Sequence, residues 1–492
     1  MTEELDFYTL LGVPRSASVE EIRRAYREAA LRLHPDKNTG PGDTELFLKV
    51  NKAYEILSDL DQRAVYDQGL TEHEAELSAR SSFKAAVIQS RRKLLQLDEP
   101  QVHYLLLDVL PNAGLPTIRP PINLALVLDR STSMRGARLD QLRSAVIKIL
   151  QSTEHGDSTS IVTFSDRAEL VVSPDQARDM SVARARLSLI QASGGTEIGQ
   201  GLRAGLNELE KYFSREGINH LILFTDGRTY GDEDECIQIA DYCASKGITI
   251  HGVGIGNDFS DRLLDDLASR TGGSVAFLDG PQAIVGVMEG IFEGLGRTVA
   301  SRLRLEGAVA PQVDLRSSFR LLPEPMPMGD SLPMNLGNLP RDGVIRVLLE
   351  LVIHPIGKIN ELTLAHFTID GDILGKGSSS VALPVQVRIP VSTDPDTDPP
   401  AEQITSALSQ ISLYRMQEKA RHEAELGQSG QAARRLENLA TQLLANGERE
   451  LARAALSEAD RLTHSRRLSS EGEKVLKYGT RALLLPARTG DS

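Results

Sequence analysis

Ile122-Asn123-Leu124-Ala125-Leu126-Val127-Leu128-Asp129-Arg130-Ser131-Thr132-Ser133 decides the fold of this chain. Residues 122–128 form a mostly apolar run of strand length that stops on a carboxylate, followed by two serines in alternate positions. Further strands are predicted at Ser160 to Ser165, His220 to Thr225, Ile248 to Ile255 and Ser274 to Leu278. Helical patterns separate them at Leu139 to Gln151, Glu197 to Tyr212, Asp234 to Lys246 and Ser260 to Arg270. This alternation predicts a doubly wound parallel sheet of the α/β class, with ligands bound beyond the carboxyl ends of the strands where strand order reverses.

Two more oxygen-bearing residues fall on loops at that edge: Thr196 in Ser193-Gly194-Gly195-Thr196, and Asp226 in Phe224-Thr225-Asp226-Gly227. With Asp129, Ser131 and Ser133 they make a five-oxygen set. The segment from about Pro121 to Arg297 resembles the von Willebrand factor A-type domain with its metal-ion-dependent adhesion site. That resemblance implies that Ser131, Ser133 and Thr196 offer hydroxyls to a metal, while Asp129 and Asp226 act directly or through water. Hard hydroxyl, carboxylate and water oxygens suit Mg²⁺ or Mn²⁺, whereas Ca²⁺ usually wants more carboxylates. Few direct anionic ligands leave such a metal electrophilic, so the implied partner is a protein presenting an Asp or Glu. Asp-x-Ser-x-Ser alone is a weak motif, because Asp and Ser are also favoured at helix caps and turns. Its agreement with Thr196 and Asp226 at one edge favours the metal.

A second signal lies near the start. His34-Pro35-Asp36 sits in a short polar loop between two amphipathic stripes: Val19, Ile22, Ala25, Tyr26, Ala29, Ala30 and Leu33 before it, Leu46, Phe47, Val50, Ala53, Tyr54 and Leu57 after it. Ser18 and Glu21 have capping-box spacing, and Pro35 disfavours helix at His34, so an antiparallel helical hairpin is predicted. With Phe7-Tyr8-Thr9-Leu10-Leu11-Gly12-Val13 and Asp61-Gln62-Arg63-Ala64-Val65-Tyr66-Asp67, residues from about Asp6 to Leu70 resemble the J-domain (DnaJ-type) family. The resemblance implies docking on a DnaK-type chaperone ATPase and stimulation of its ATP hydrolysis, with Tyr26, Arg27, His34, Pro35, Asp36, Lys37 and Asn38 as contacts. Glu28 and Leu33 depart from the family pattern and weaken the basic face. Arg23, Arg24, Arg27 and Arg32 also suit an ordinary solvated helix face.

The 492 residues are too many for one core, and about three or four domains are expected. A formal charge of −13 with dispersed basic residues argues against a nucleic-acid groove. No apolar run is long enough to span a bilayer and Met1 to Asp6 is acidic, so the expectation is a soluble, cytoplasmic protein without a membrane partner. The two cysteines, Cys236 and Cys243, stand seven residues apart on a predicted helix. At about 1.5 Å per residue they are roughly 10 Å apart, too far for a disulfide, so buried thiols are expected.

Three other motifs are set aside. Gly252-Val253-Gly254-Ile255-Gly256 ends a late strand without the third glycine of a dinucleotide loop. Gly375-Lys376-Gly377-Ser378 lacks phosphate-loop spacing. Asp129 as a phosphatase nucleophile lacks a second carboxylic acid two residues on, where Ser131 stands.

From about Ser301 to Val391 short alternating runs, including Val344 to Ile353, Leu362 to Ile369 and Val381 to Val391, signal an antiparallel sandwich. Phe83 to Ile88 and Val102 to Leu110 need partners, and pairing with those later strands would make the A-type domain an insertion in one β-sandwich. Ser392 to Pro400 is a stiff acidic linker. Glu402 to Leu426, Gln431 to Leu444 and Arg449 to Leu462 then predict a helical bundle, with Gly427 and Gly447 at helix ends. The expected division is 1–70, 71–120, 121–297, 298–391, 392–400 and 401–485. The leading functional expectation is a co-chaperone adaptor. The alternatives are a scaffold subunit whose J-domain assists assembly, and a metal-dependent hydrolase. The last is disfavoured because no general base or phosphate-holding cluster lies near the five oxygens, so no enzyme activity is expected.

Overall fold

The structure is a computed structural model that describes residues 7–11, 13, 17–33, 41–69, 82–112, 119–229, 231–357, 359–375, 380–395 and 398–485. It contains four regions: a small helical unit, a parallel α/β domain, a β-sandwich and a layer of C-terminal helices.

The first unit contains α1 (Phe7–Leu11), α2 (Val19–Leu33), α3 (Pro41–Ser58) and α4 (60–69). The Ser18 backbone N–H donates to Glu21 Oε2 at 2.7 Å and the Glu21 N–H to Ser18 Oγ at 3.3 Å, so the capping box forms. Ile22 and Ala29 of α2 pack with Val50, Ala53 and Leu57 of α3. The two outer motifs hold each other: Phe7 N–H donates to Tyr66 Oη at 3.0 Å, and Tyr8 Oη to Asp67 Oδ1 at 2.7 Å.

The sandwich has one five-stranded sheet in the order β1 (Phe83–Gln89), β3 (Gln101–Pro111), β14 (Ile345–Ile353), β11 (Val313–Leu322), β12 (Met326–Gly329). Its second sheet runs β13 (Met334–Pro340), β10 (Thr298–Val309), β15 (Glu361–Ile373), β16 (Ser380–Ser392), β2 (Leu94–Leu95). β3 pairs antiparallel with β14, Leu107 opposite Val347 and Leu105 opposite Leu349. Chain before the α/β domain therefore pairs with chain after it, and the α/β domain is inserted in the sandwich. β1 pairs with β3. Leu105, Leu107 and Val109 face the inter-sheet core, while Leu106 and Leu348 face α12 (Glu402–Glu425). Burial on both faces is why Tyr104 to Val109 is nearly all apolar.

The inserted sheet has the order β6 (Ala168–Val172), β5 (Ser158–Phe164), β4 (Ile122–Asp129), β7 (Ile218–Thr225), β8 (Thr249–Ile255), β9 (Val275–Leu278). All pairs are parallel except β5 with β6. Along β4 the side chains alternate: Leu124, Leu126 and Leu128 pack toward α5 (Ala137–Ser152) and α11 (Ile284–Gly296), and Ala125 and Val127 toward α8 (Ile198–Lys211), α9 (Glu233–Lys246) and α10 (Asp261–Thr271). Strand order reverses between β4 and β7. The β6 edge, α6 (Pro174–Ala177) and α7 (Met180–Ser188) form a connection that the sequence pattern did not predict.

The C-terminal layer adds α13 (Ser429–Ala445), α14 (Arg449–Ser465) and a fourth, unforeseen helix, α15 (Ser470–Ala482). The last had no obvious stripe because three of its six buried residues are charged. Lys474, Lys477 and Arg481 are buried against α10 and the loop before it. Lys477 bonds Asp261 and Asp265, Arg481 pairs with both oxygens of Asp265 at 2.9 Å, and Arg421 bonds Asp261 at 2.7 Å. Cys236 and Cys243 are buried and free, and burial pushes the Cys243 thiol up to about 12.

Candidate metal centre

The reversal point brings all five oxygen-bearing residues together. Asp129 ends β4 with no solvent exposure; its Oδ1 accepts the Ser131 N–H at 2.7 Å and its Oδ2 accepts Thr225 Oγ1 at 2.7 Å. Register explains the second bond, since Leu128 lies opposite Phe224, which sets Thr225 beside Asp129. Ser133 Oγ donates to Asp226 Oδ1 at 2.7 Å. Ser131 Oγ lies 3.0 Å from Ser133 Oγ, and the Ser131 hydroxyl also bonds the Asp129 carboxylate. The hydroxyl protons run toward the buried carboxylates and leave oxygen lone pairs for a cation.

Thr196 comes from the loop before α8, held by a web of backbone bonds. Ser193 N–H donates to Arg130 O at 2.7 Å, Thr132 N–H to Gly194 O at 3.2 Å, and Glu197 N–H to Ser165 O at 2.9 Å. Asp166 Oδ1 accepts the Gly195 N–H at 2.7 Å, and Thr229 Oγ1 accepts the Ile198 N–H at 3.1 Å. A Cβ on Gly227 would stand 2.9 Å from Thr196 Oγ1, so the glycine after Asp226 lets the two loops meet.

Asp129, Ser131 and Asp226 are buried at the floor, whereas Ser133 is exposed and Thr196 half-buried at the mouth. Burial pushes the Asp129 carboxyl up to about 6, against the bonds from Ser131 and Thr225 that favour its charged form. Two carboxylates and three hydroxyls, floor closed and mouth open, are a donor set that fits a small hard cation with room for an outside ligand. Among the described residues no group of three or more His, Cys, Asp or Glu is placed to hold a metal. The hydroxyls are therefore indispensable to the candidate.

Sequence reasoning missed Thr225, Asp166, Thr229 and Arg138. Arg138 Nη1 donates to Asp226 Oδ2 at 2.5 Å. It stands five residues past Ser133 in the first turn of α5, a position that carries no signal by itself.

In the N-terminal unit Tyr26 is half-buried, stacked on Tyr54 with centroids 4.1 Å apart and donating to Asn51 Oδ1 at 2.8 Å. It serves the packing of α2 on α3 as well as the surface, while Arg27 is exposed. His34, Pro35, Asp36, Lys37 and Asn38 lie outside the described residues.

Comparison with known proteins matches three family models: a DnaJ domain over 6–67, a von Willebrand factor type A domain over 123–284, and the Sll0103-like C-terminal alpha-helical domain over 402–486. The uncharacterized protein sll0103 of Synechocystis is 26% identical over 387 residues, 75% of this chain and 89% of that protein. The chaperone protein DnaJ of Methanosarcina acetivorans is 41% identical over 87 residues, and this match spans 18% of this chain and 23% of that protein. The solved von Willebrand factor type A protein from Catenulispora acidiphila superposes with a TM-score of 0.62, at 13% identity, over 81% of this chain and 96% of that one. This last likeness concerns the fold.

Proposed function

We propose, for a chain that joins a DnaJ domain to a von Willebrand factor type A domain, that it is a cytoplasmic co-chaperone adaptor. The A-type domain captures a protein through a carboxylate, and the tethered J-domain brings a DnaK-type chaperone ATPase to it at high effective concentration. The observation that carries this reading is the convergence of Asp129, Ser131, Ser133, Thr196 and Asp226 on one solvent-open mouth.

Ser131, Ser133 and Thr196 would hold Mg²⁺, or Mn²⁺, with Asp129 and Asp226 balancing its charge. When bound, the ion offers a Lewis-acid position to an Asp or Glu of the partner. The chain's own residues orient the hydroxyls: Thr225 and the Ser131 N–H fix Asp129, and Ser133 ties Ser131 to Asp226. On the chaperone side, Arg27 and the segment His34 to Asn38 would make the contact. The reading includes no turnover by the chain itself.

The scaffold alternative is favoured by one feature, the buried ion pairs that fix the C-terminal helices on the α/β domain as a single body. Partner capture that is lost with EDTA and with Asp226→Ala supports the adaptor. Capture indifferent to both refutes the metal-dependent arm and leaves the scaffold. Metal-dependent turnover of a phosphoester panel would restore the enzyme reading.

A further inference from the structure

Arg138 puts a fixed positive charge inside the candidate metal centre. Its Nη1 donates to Asp226 Oδ2 at 2.5 Å and to the Ser133 carbonyl at 3.2 Å. The other Asp226 oxygen accepts from Ser133 Oγ at 2.7 Å. The Asp226 side chain has 0% exposure and that of Arg138 34%, so the guanidinium covers the carboxylate from the solvent side. A third element completes the seat. Gly256, just past β8, has φ of +73°, and a Cβ there would stand 2.9 Å from Arg138 Nη2. The glycine leaves the space that the guanidinium uses.

We propose that Arg138 is a resident counter-ion that competes with the divalent cation for Asp226 and so sets the metal affinity of the site. This rests on the metal-binding reading above. Each Asp226 oxygen accepts one hydrogen bond and keeps a lone pair for a metal or a water on it, but Oδ2 already pairs with the guanidinium charge. A divalent ion must displace the guanidinium or sit beside a like charge, and either raises its dissociation constant. In the ion's absence the guanidinium compensates a buried carboxylate that would otherwise stand unpaired, which is costly. The empty site is thereby stable, and loading responds to the surrounding ion concentration. Arg138 acts through Asp226 and is a positioning residue.

Titration calorimetry of the full chain with Mg²⁺, and separately Mn²⁺, near pH 8 tests this on the wild type, Arg138→Gln and Arg138→Lys. Melting curves by circular dichroism check folding. Damage to the site would weaken binding, whereas competition predicts the opposite. Arg138→Gln should bind at least about tenfold tighter, about 1.4 kcal/mol, and Arg138→Lys, which keeps the charge, should stay nearer the wild type. Should Arg138→Gln not fold, Arg138→Met, which keeps the aliphatic stem and removes the charge, reads the same quantity and should also tighten binding. Binding by the wild type with none tighter in the folded variants overturns the competition and leaves the metal reading intact. Binding by none of the proteins overturns both.

Discussion

Asp265→Asn should loosen the C-terminal helices from the α/β domain. Asp265 meets both Arg481 and Lys477, with Arg481 bound to its two oxygens at 2.9 Å and Lys477 at 2.7 Å. The side chains are 12%, 5% and 4% exposed, so water screens the cluster poorly. As it stands, three cations, Arg421, Lys477 and Arg481, face the buried carboxylates Asp261 and Asp265, and Arg421 also reaches the more exposed Glu425 at 3.4 Å. The substitution conserves shape but takes from Arg481 its paired carboxylate and leaves Lys477 with Asp261 alone. Removing one partner of a buried pair costs about 3–5 kcal/mol, a large part of the roughly 5–15 kcal/mol that holds a typical domain. The chain has no tryptophan, so urea unfolding is best followed by circular dichroism, with hydrogen exchange in α15 as a local probe. The expected result is early loss of α15 protection and a lower urea midpoint. Asp265→Leu with Arg481→Met should recover part of the loss, since an apolar replacement of a whole buried pair is often tolerated. Unchanged α15 protection in Asp265→Asn would refute the reasoning. So would an added loss in the double variant equal to the sum of the single ones.

Other consequences follow from single groups. His251 is buried, bonded to His220 Nδ1 at 3.0 Å and to Ser274 Oγ at 2.9 Å; burial, with a smaller push from Arg320, lowers its pKa to about 4. Neutral His251 thus contributes stability that is present above about pH 6.5 and lost as pH falls toward 4, by at most about 3 kcal/mol. Melting temperature against pH should flatten in His251→Gln, and an unchanged slope would contradict this. Arg320→Met removes buried bonds to the carbonyls of Gly272 and Gly273, which tie the sandwich to the α/β domain, and one to Leu336 of β13, which links the two sandwich sheets, and should cost about 3 kcal/mol or more in urea unfolding. A loss below about 0.5 kcal/mol would count against that tie. Saturating Mg²⁺ should stabilise the wild type by about 2.7 kcal/mol at one hundred times its dissociation constant. Ser133→Ala should abolish that gain, and its persistence would remove the hydroxyl from the ligand set.

The convergence of the five oxygen-bearing residues was legible because they sit where strand order and strand ends must put them. β4 and β7 are apolar runs that end on Asp129 and Thr225, and the parallel register brings those ends together. What was not legible lacked an apolar period. α15 buries Lys474, Lys477 and Arg481, whose stripe looks like a solvated face until Asp261 and Asp265 meet it. β13, with Gly337 inside and Pro340 at its end, carries no β-branched residue, and it pairs with β10 through tertiary context. The sandwich insertion was legible from the need of Val102 to Leu110 for a partner. That partner is β14, and β1 follows by pairing with β3. Arg138 was invisible for another reason: an arginine near a helix start carries no spacing signal, and only Gly256 and Asp226 together reveal its place.

The most direct test of the adaptor is single-turnover ATP hydrolysis by a DnaK-type chaperone with the full-length protein, Asp36→Asn as control and Ser131→Ala alongside. The account predicts stimulation by the wild type and by Ser131→Ala, lost only in Asp36→Asn, which separates a chaperone-recruiting arm from a metal-dependent binding arm. Absence of stimulation by the full-length protein and by residues 1–70 alone would contradict it.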